Sequence, residues 1–463
     1  MESMDNNNNA IIDSFVLEMP DIRVRRLAVG WLLLSLGALV IGGLFSVLIV
    51  LSRTPYFQAI IPWVDFFHTA LVVHVDMTVL VWFFGFAGVL WSLNSSLRCL
   101  RCGWIALALS VVGTVVITLA PFFGAAEPLM NNYVPVLQHP LFLTGLGLFG
   151  LGFTVLVING LVFSQSVGST ISGEGALRFG LYTALIAALI SIVVLILSYI
   201  DMPAFAASAY FYELLFWDAG HTIQFMHIQL MLVSWLWMTT VAGVGLRLSP
   251  RVALIIFAVG LLPVLLTPII YAIFDLGAAM HTQAISLLMQ YGGGLAALPI
   301  GLIIAFGFLN KNRSNIKFGP EFNALVFSML LFGVGGVIGF MISGSNVTVP
   351  AHYHGSIVAV TLAYMGVTFH VLPRIGFRPV TGRAATWQPV VYACGQLLHI
   401  IGLVWSGGYG VQRKTAGADQ GLDGIERVIG MGIMGLGGLI AVIGGIMFLV
   451  IVFKSMWPRK DQQ

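Results

Sequence analysis

The stretch AHYHGSIVAVTLAYMGVTFHVLPR, residues 351–374, decides the fold. It is long and apolar enough to cross a bilayer as a helix, which takes about 20 residues, yet it opens with His352 and His354. Successive helical residues are about 100° apart, so side chains two positions apart leave opposite faces. The two imidazoles cannot bind one ion without distortion, but they can serve two planar cofactors such as haems, one on each side of the helix.

The composition of the whole chain indicates a membrane protein. Of its 463 residues, 59% are hydrophobic and only 8% charged, too few charges to cover a soluble domain. Twelve stretches have bilayer-spanning length, and lipid-exposed backbone must be helical. They are residues 28–51, 67–92, 104–123, 139–163, 178–199, 220–245, 252–274, 281–308, 322–343, 351–372, 387–406 and 432–453. The sequence predicts an all-α polytopic membrane protein, with a tail at 1–27, a twelve-helix domain at 28–453 and a tail at 454–463.

Loops rich in lysine and arginine alternate along the chain with loops that carry few or none. The N-terminus, the loops after spans 2, 6, 8 and 10, the 4–5 boundary and the C-terminus are basic. The positive-inside rule therefore predicts a multi-pass protein of the inner cell membrane with both termini cytoplasmic. The net charge of +3 is spread over loops and offers no nucleic-acid face. Cys99, Cys102 and Cys394 make a poor disulfide framework, and the Cys99/Cys102 pair lacks a second pair for zinc.

The histidines cluster by depth. Under this topology eight of the ten, contributed by five spans, lie in the outer part of the membrane: His68, His74, His139, His221, His227, His281, His352 and His354. Ionisable groups within spans are costly and indicate function. Any one of them could be a satisfied core residue, but eight at one depth predict cofactor binding.

These features resemble the catalytic subunit I of the haem-copper oxidase superfamily, which includes the nitric oxide reductases. The start of span 10 is similar to the family's AH-x-H element, which implies His352 as the ligand of a five-coordinate, high-spin haem and His354 as a ligand of a six-coordinate, low-spin haem. Residues 74–88, HVDMTVLVWFFGFAG, resemble the helix with the other low-spin ligand. That implies His74 opposite His354, with His68 as the competitor.

Two further elements carry the resemblance. Residues 217–221, WDAGH, resemble the entry to the family's non-haem metal ligand, which implies His221 in that role. Arg413 and Lys414 resemble the basic pair that meets haem propionates, and two cations near carboxylates at the membrane surface are physically reasonable. The resemblance thus implies two haems, taken as b-type, and one non-haem metal.

The sequence departs from the family where it normally supplies two adjacent histidines, at the outer end of span 7. Asp275 lies there instead; as an oxygen ligand it would favour iron over copper, or it merely caps the turn between spans 7 and 8. His281, six residues later, is the next candidate ligand.

The position one turn after His221 also departs from the family. It carries a tyrosine in oxygen reductases of the main type and a glutamate in nitric oxide reductases; here it is Phe225. The neighbouring Gln224 could bind metal, hydrogen-bond substrate, or make a buried polar helix contact. Tyr271 shares a helix face with Asp275 and could substitute for the redox tyrosine.

The distribution of acidic residues and lysines indicates which gas the protein reduces. No Asp, Glu or Lys lies within the inner half of any predicted span. This favours protons entering from outside, as in nitric oxide reductases that do not pump. The predicted reaction is two NO with two electrons and two protons giving nitrous oxide and water. The alternatives are a non-pumping oxygen reductase using Tyr271, a dihaem electron-transfer subunit with a degenerate metal site, and a transporter.

The topology and the resemblance predict three partners. These are the lipid bilayer, a small gas (NO or O2), and an electron donor on the outer side of the membrane, either a subunit or a cytochrome c or cupredoxin. A separate donor is expected because the chain has no Cys-x-x-Cys-His motif.

Overall fold

The computed structural model describes residues 14–53, 66–124, 126–204, 208–309, 316–415 and 420–457. Every predicted span coincides with helix. The helices are α1 (Ile22–Arg53), α2 (Phe66–Val75), α3 (Trp82–Leu93), α4 (Leu100–Leu119), α5 (Pro140–Phe163), α6 (Gly173–Ile200), α7 (Ser208–Val241), α8 (Pro250–Ile273), α9 (Ala279–Gly292), α10 (Gly294–Leu309), α11 (Pro320–Phe340), α12 (Thr348–Val371), α13 (Arg383–Gly408) and α14 (Ile425–Met456).

Two predicted spans are built from two helices each. In span 2, a π-helical turn at Asp76–Val81 joins α2 to α3, directly after His74. In span 8, α9 and α10 meet around Gly293. π-helical turns within α-helices, such as the one after His74, are frequent at functional sites.

Among the described residues, eleven helical segments are long and apolar enough to cross a membrane. The remaining span is α7, 34 residues long, which carries His221, Gln224 and His227. It begins at Ser208, twelve residues before the predicted start. His221 therefore lies in the fourth turn of a longer helix than the sequence predicts.

The chain divides into two compact units. The first contains residues up to Gly42, Val72–Thr240 and Val244–Ser314. Within it α4 packs closely on α5. A Cβ at Gly113 would come within 2.5 Å of the Phe149 backbone nitrogen, so glycine is needed at this contact. A short antiparallel hairpin, β1 (Pro128–Leu129) with β2 (Val136–Leu137), precedes α5.

The second unit contains Gly43–Leu71, Val241–Gly243 and Asn315–Gln463. Here α13 and α14 touch along a line of glycines: a Cβ at Gly402 would lie 2.3 Å from the Met434 nitrogen, and one at Gly437 2.2 Å from the His399 nitrogen. Gly355 of α12 meets Gly335 of α11 in the same way, at 2.4 Å from its Cα. Small residues allow this close approach of membrane helices.

Cys99 and Cys102 form a disulfide, so the expectation that the cysteines do not pair is wrong for these two. Cys99 adopts a left-handed φ of 48° at the N-cap of α4. The two Cα atoms lie 5.3 Å apart, within the range that a disulfide needs. Spacing alone did not reveal this backbone conformation.

Candidate haem and metal site

His352, in the second turn of α12, is fixed by the neighbouring helix α11. Its Nδ1 lies 2.7 Å from the carbonyl oxygen of Gly335. A carbonyl can only accept, so Nδ1 carries the proton and the Nε2 lone pair is left for another partner. Gly339, one turn along α11, leaves the space for the ring, since a Cβ there would lie 2.8 Å from Nδ1.

His354 lies two residues further along α12, half-buried like His352. Its ring centroid is 4.6 Å from that of His399 on α13. The Nδ1 of His399 is in turn 2.9 Å from the Met434 carbonyl of α14. The glycine contacts between α13 and α14 bring that carbonyl within reach. His354 is therefore packed against a second imidazole whose orientation is itself fixed.

The basic pair lies in the loop after α13, beside the chain that leads into α12. Arg413 Nε donates to Ser345 Oγ at 3.1 Å, and the Val347 amide donates to the Val411 carbonyl at 3.0 Å. The structure thus brings Arg413 close to the start of the helix that carries His352 and His354.

His74, in the first unit, repeats the pattern of His352. Its Nδ1 is 2.8 Å from the Gly42 carbonyl of α1. A Cβ at Gly42 would lie 2.5 Å from Thr78 Cγ2, so only glycine permits this approach. The competitor, His68, instead has its Nε2 3.3 Å from the Lys414 carbonyl. Of the two, His74 has the better-fixed ring and the available Nε2.

His221 on α7 has the same tautomer. Its Nδ1 lies 2.8 Å from the carbonyl of Trp217, one turn earlier. The ring is buried between Trp217 and Tyr133, with centroids at 4.5 and 5.0 Å. Tyr133 belongs to the loop between β1 and β2, and it fits because residue 220 is glycine: a Cβ there would lie 2.1 Å from the phenol ring.

Tyr133 also contacts Gln224, the candidate beside the position where the family carries tyrosine or glutamate. Gln224 Nε2 donates to the phenol oxygen at 3.4 Å, so the structure favours a polar contact for Gln224. Burial, together with the Glu213 carboxylate, raises the pKa of the Tyr133 phenol well above its usual range.

A second cluster lies one turn before His221. Asp218 is fully buried; its Oδ2 shares a hydrogen bond with His281 Nε2 at 2.8 Å and accepts from the Tyr271 hydroxyl at 2.5 Å. Because Tyr271 donates its one proton to Asp218, the Ser198 hydroxyl donates to Tyr271, at 2.6 Å. His281 Nδ1 lies 3.0 Å from the Phe274 carbonyl. Helices α6, α7, α8 and α9 therefore meet in one hydrogen-bonded network.

The two remaining candidate metal ligands are Asp275, which lies outside this network, and His281, which belongs to it. Asp275 lies in the turn between α8 and α9, with an exposed side chain, and its backbone carbonyl accepts from the Ala278 amide. Both ring nitrogens of His281 are hydrogen-bonded. Within the described ranges, no three His, Cys, Asp or Glu side chains are grouped so that they could hold a metal ion.

Comparison with known proteins agrees with this arrangement of helices. Residues 26–447 match the family model described as cytochrome c and quinol oxidase polypeptide I. The chain belongs to this family. The oxidase polypeptide I family consists of membrane respiratory oxidoreductases that bind haems and a metal and take electrons from a donor, which makes this chain a multi-pass member of that class.

The chain is similar along most of its length to two uncharacterized proteins. It is 27% identical to the uncharacterized protein RP382 of Rickettsia prowazekii, over 94% of this chain and 97% of that one. It is 30% identical to an uncharacterized protein of Aquifex aeolicus, over 78% and 88%.

A solved structure, described as a heme-copper terminal oxidase dimer, shares the fold. The TM-score is 0.69 and the identity 16%, over 94% of this chain and 84% of that one. The prediction of an all-α, twelve-span, haem-copper oxidase-like fold is thereby confirmed.

The residues of this family member fit haem. Histidines that bind a metal almost always donate the other ring N–H to a carbonyl or carboxylate, which fixes the tautomer. His74 and His352 do so through Gly42 and Gly335. His221 satisfies the same condition, but the side chains that would complete a non-haem metal site with it are exposed or already hydrogen-bonded. The predicted ligand set for a non-haem metal does not fit.

Sequence reasoning missed several contributors to the site. Tyr133 and Ser198 carry no local motif, since a loop tyrosine and a helix serine are common. His399 is in a span, but only the contact with His354 gives it significance. Asp218 stands inside the WDAGH motif, three residues before His221 and hence on the same side of the helix; that spacing was the one available signal.

Proposed function

We propose that the chain reduces nitric oxide to nitrous oxide, combining two NO with two electrons and two protons and releasing water. The observation that carries the proposal is the fixed ring of His352, whose Nδ1 is held by the Gly335 carbonyl so that Nε2 remains for iron. A haem held by His352 would supply gas binding.

The remaining ligand roles follow the family pattern. His352 would hold the high-spin haem, and His74 and His354 would hold the low-spin haem, both of b type. Arg413 and Lys414 would contact the propionates. When bound, the haems supply electron transfer and gas binding, and the protein supplies ligand orientation and electrostatics. The protein tunes both haems through the carbonyls that face its histidines.

The positions of acidic groups support nitric oxide rather than oxygen. At the predicted inner ends, Glu174 and Glu321 lie in the first turns of α6 and α11, and Glu174 pairs with Arg178 at 2.8 Å. By contrast, Asp218 is fully buried near the predicted outer side. This distribution favours protons taken from outside, where the electron donor (a subunit, a cytochrome c or a cupredoxin) also docks. Both termini are then cytoplasmic, and the membrane is the inner cell membrane.

Oxygen reduction is the second candidate, and one observation favours it. The hydroxyl of Tyr271 donates to the Asp218 carboxyl and accepts from Ser198. A phenol with a proton acceptor in contact is suited to giving up an electron and a proton together. In that function Tyr271 takes the place of the redox tyrosine.

The test is a direct comparison of the two gases. Purified full-length protein, supplied with a chemical reductant, is followed with an NO electrode without oxygen and an oxygen electrode without NO. We expect NO loss with one N2O per two NO, abolished in His352→Ala. His139→Asn is the matched histidine control: His139 caps α5 by accepting from the Leu141 amide at 3.2 Å, and asparagine keeps the cap. Faster oxygen consumption without NO turnover contradicts the proposal.

A further inference from the structure

We infer that a buried Asp218–His281 pair, and not a metal ion, joins α7 to α8 and α9, so that His281 is not a metal ligand. The inference deepens the proposed function and rests on it for the presence of haem alone. It starts from the accessibility of the two side chains: Asp218 is 0% exposed and His281 1%.

The lone pairs of His281 are the decisive chemistry. A metal ligand needs an imidazole nitrogen with a free lone pair. Nδ1 of His281 faces the Phe274 carbonyl at 3.0 Å, so it carries a proton. Nε2 faces Asp218 Oδ2 at 2.8 Å. Whether the shared proton lies on the nitrogen or on the carboxyl oxygen, the Nε2 lone pair is engaged, and His281 has none left for a metal.

One oxygen of the carboxyl group is engaged as well. Asp218 Oδ2 also accepts from the Tyr271 hydroxyl, whose oxygen accepts from Ser198. The ring of Tyr271 packs edge-on against His281, with centroids 4.8 Å apart. Hydrogen bonds and packing therefore satisfy His281 and the Oδ2 atom of Asp218, whereas the buried Oδ1 atom of Asp218 has no partner among the described residues. Burying a carboxyl and an imidazole is tolerable only with such partners.

The position of the pair indicates that it cross-links helices. Asp218 lies three residues before His221, on the same side of α7. Its bonds to Tyr271 on α8 and His281 on α9 tie three helices together at that level. A metal shared by these helices would make the same cross-link. Here two side chains make it, and they position His221 with its Nε2 available as a hydrogen-bond acceptor.

Metal analysis of the purified full chain tests the inference. Iron and copper are measured by mass spectrometry and haem by its pyridine complex. We expect about one iron per haem and no copper. About three metal ions per two haems, with the extra one lost in His281→Gln, would overturn the inference. Asp275→Asn is the matched acid control and should change neither ratio, because Asp275 is exposed in the turn.

A double-variant cycle tests the pairing itself. Asp218→Asn and His281→Gln should each lower the melting temperature by about 5–10 °C, since each leaves one buried partner unmatched. The double variant should lose less than the sum, whereas strictly additive losses would contradict the pair. If single variants do not fold, the wild-type metal ratio still decides. A failed proposed function would show separately, as absent haem or absent NO turnover.

Discussion

Substituting Gly339 by alanine should remove the gas-binding haem while leaving the other haem in place. The new Cβ would lie 2.8 Å from Nδ1 and 2.9 Å from Cε1 of His352, whereas ordinary contact begins near 3.4 Å. The ring must retreat by about 0.6 Å, although iron–nitrogen distances are held within about 0.2 Å. Overpacking of this kind costs about 1–3 kcal/mol, which corresponds to roughly 5- to 150-fold weaker haem binding.

The assay is the carbon monoxide difference spectrum of reduced protein, expressed per total haem. Gly336→Ala is the matched control, because a Cβ at that position of the same helix meets nothing within 4 Å. Alanine there should stabilise α11 slightly, by about 0.5–1 kcal/mol. We expect Gly339→Ala to lose carbon monoxide binding and Gly336→Ala to retain it. Equal binding in both variants would refute the role given to the His352 ring.

Three further predictions use the same logic. Gly42→Ala, whose Cβ would meet Thr78 Cγ2 at 2.5 Å, should weaken the low-spin haem signal in electron paramagnetic resonance, while Gly43→Ala, which meets nothing within 4 Å, should not. Gly220→Ala should displace Tyr133 from α7, because the Cβ would lie 2.1 Å from its ring, and we expect turnover to fall by tenfold or more. The raised pKa of the Tyr133 phenol keeps it neutral below about pH 10, so the pH profiles of NO consumption for wild type and Tyr133→Phe should run parallel from pH 6 to 10. An alkaline limb that disappears in Tyr133→Phe would contradict this.

Hydropathy and the histidine pattern predicted the helices well, because both are local properties. Backbone in lipid must be helical, so the spans could be identified directly from apolar runs, whereas their ends and the interruptions within spans 2 and 8 could not. The start of α7 is the largest such difference. Its first residues, SAYFYELLFWDAG, are too polar to count as a span, yet the helix continues through them.

The carbonyls that fix the histidines could not be predicted from sequence. That Gly335 faces His352 and Gly42 faces His74 depends on which helices adjoin. The glycines are visible in the sequence, but Gly336 and Gly43 stand beside them and meet nothing. Only packing distinguishes a glycine that permits a close contact from one that faces open space.

The metal-ligand candidates show the same limit. Asp275 and His281 occur near the place in the chain where the family carries metal ligands, and this position alone predicts them as ligands. In the structure His281 pairs with Asp218, 63 residues away. Sequence position indicates which side chains are near one depth of the membrane, but not which of them bind one another.

We propose that His74, His352 and His354 hold two haems of different coordination. The most direct measurement is the optical spectrum of the purified, reduced chain with and without carbon monoxide, combined with a haem count. We predict about two haems per chain, one of which binds carbon monoxide. A chain that is colourless, or whose haem is all inert to carbon monoxide, would contradict the account.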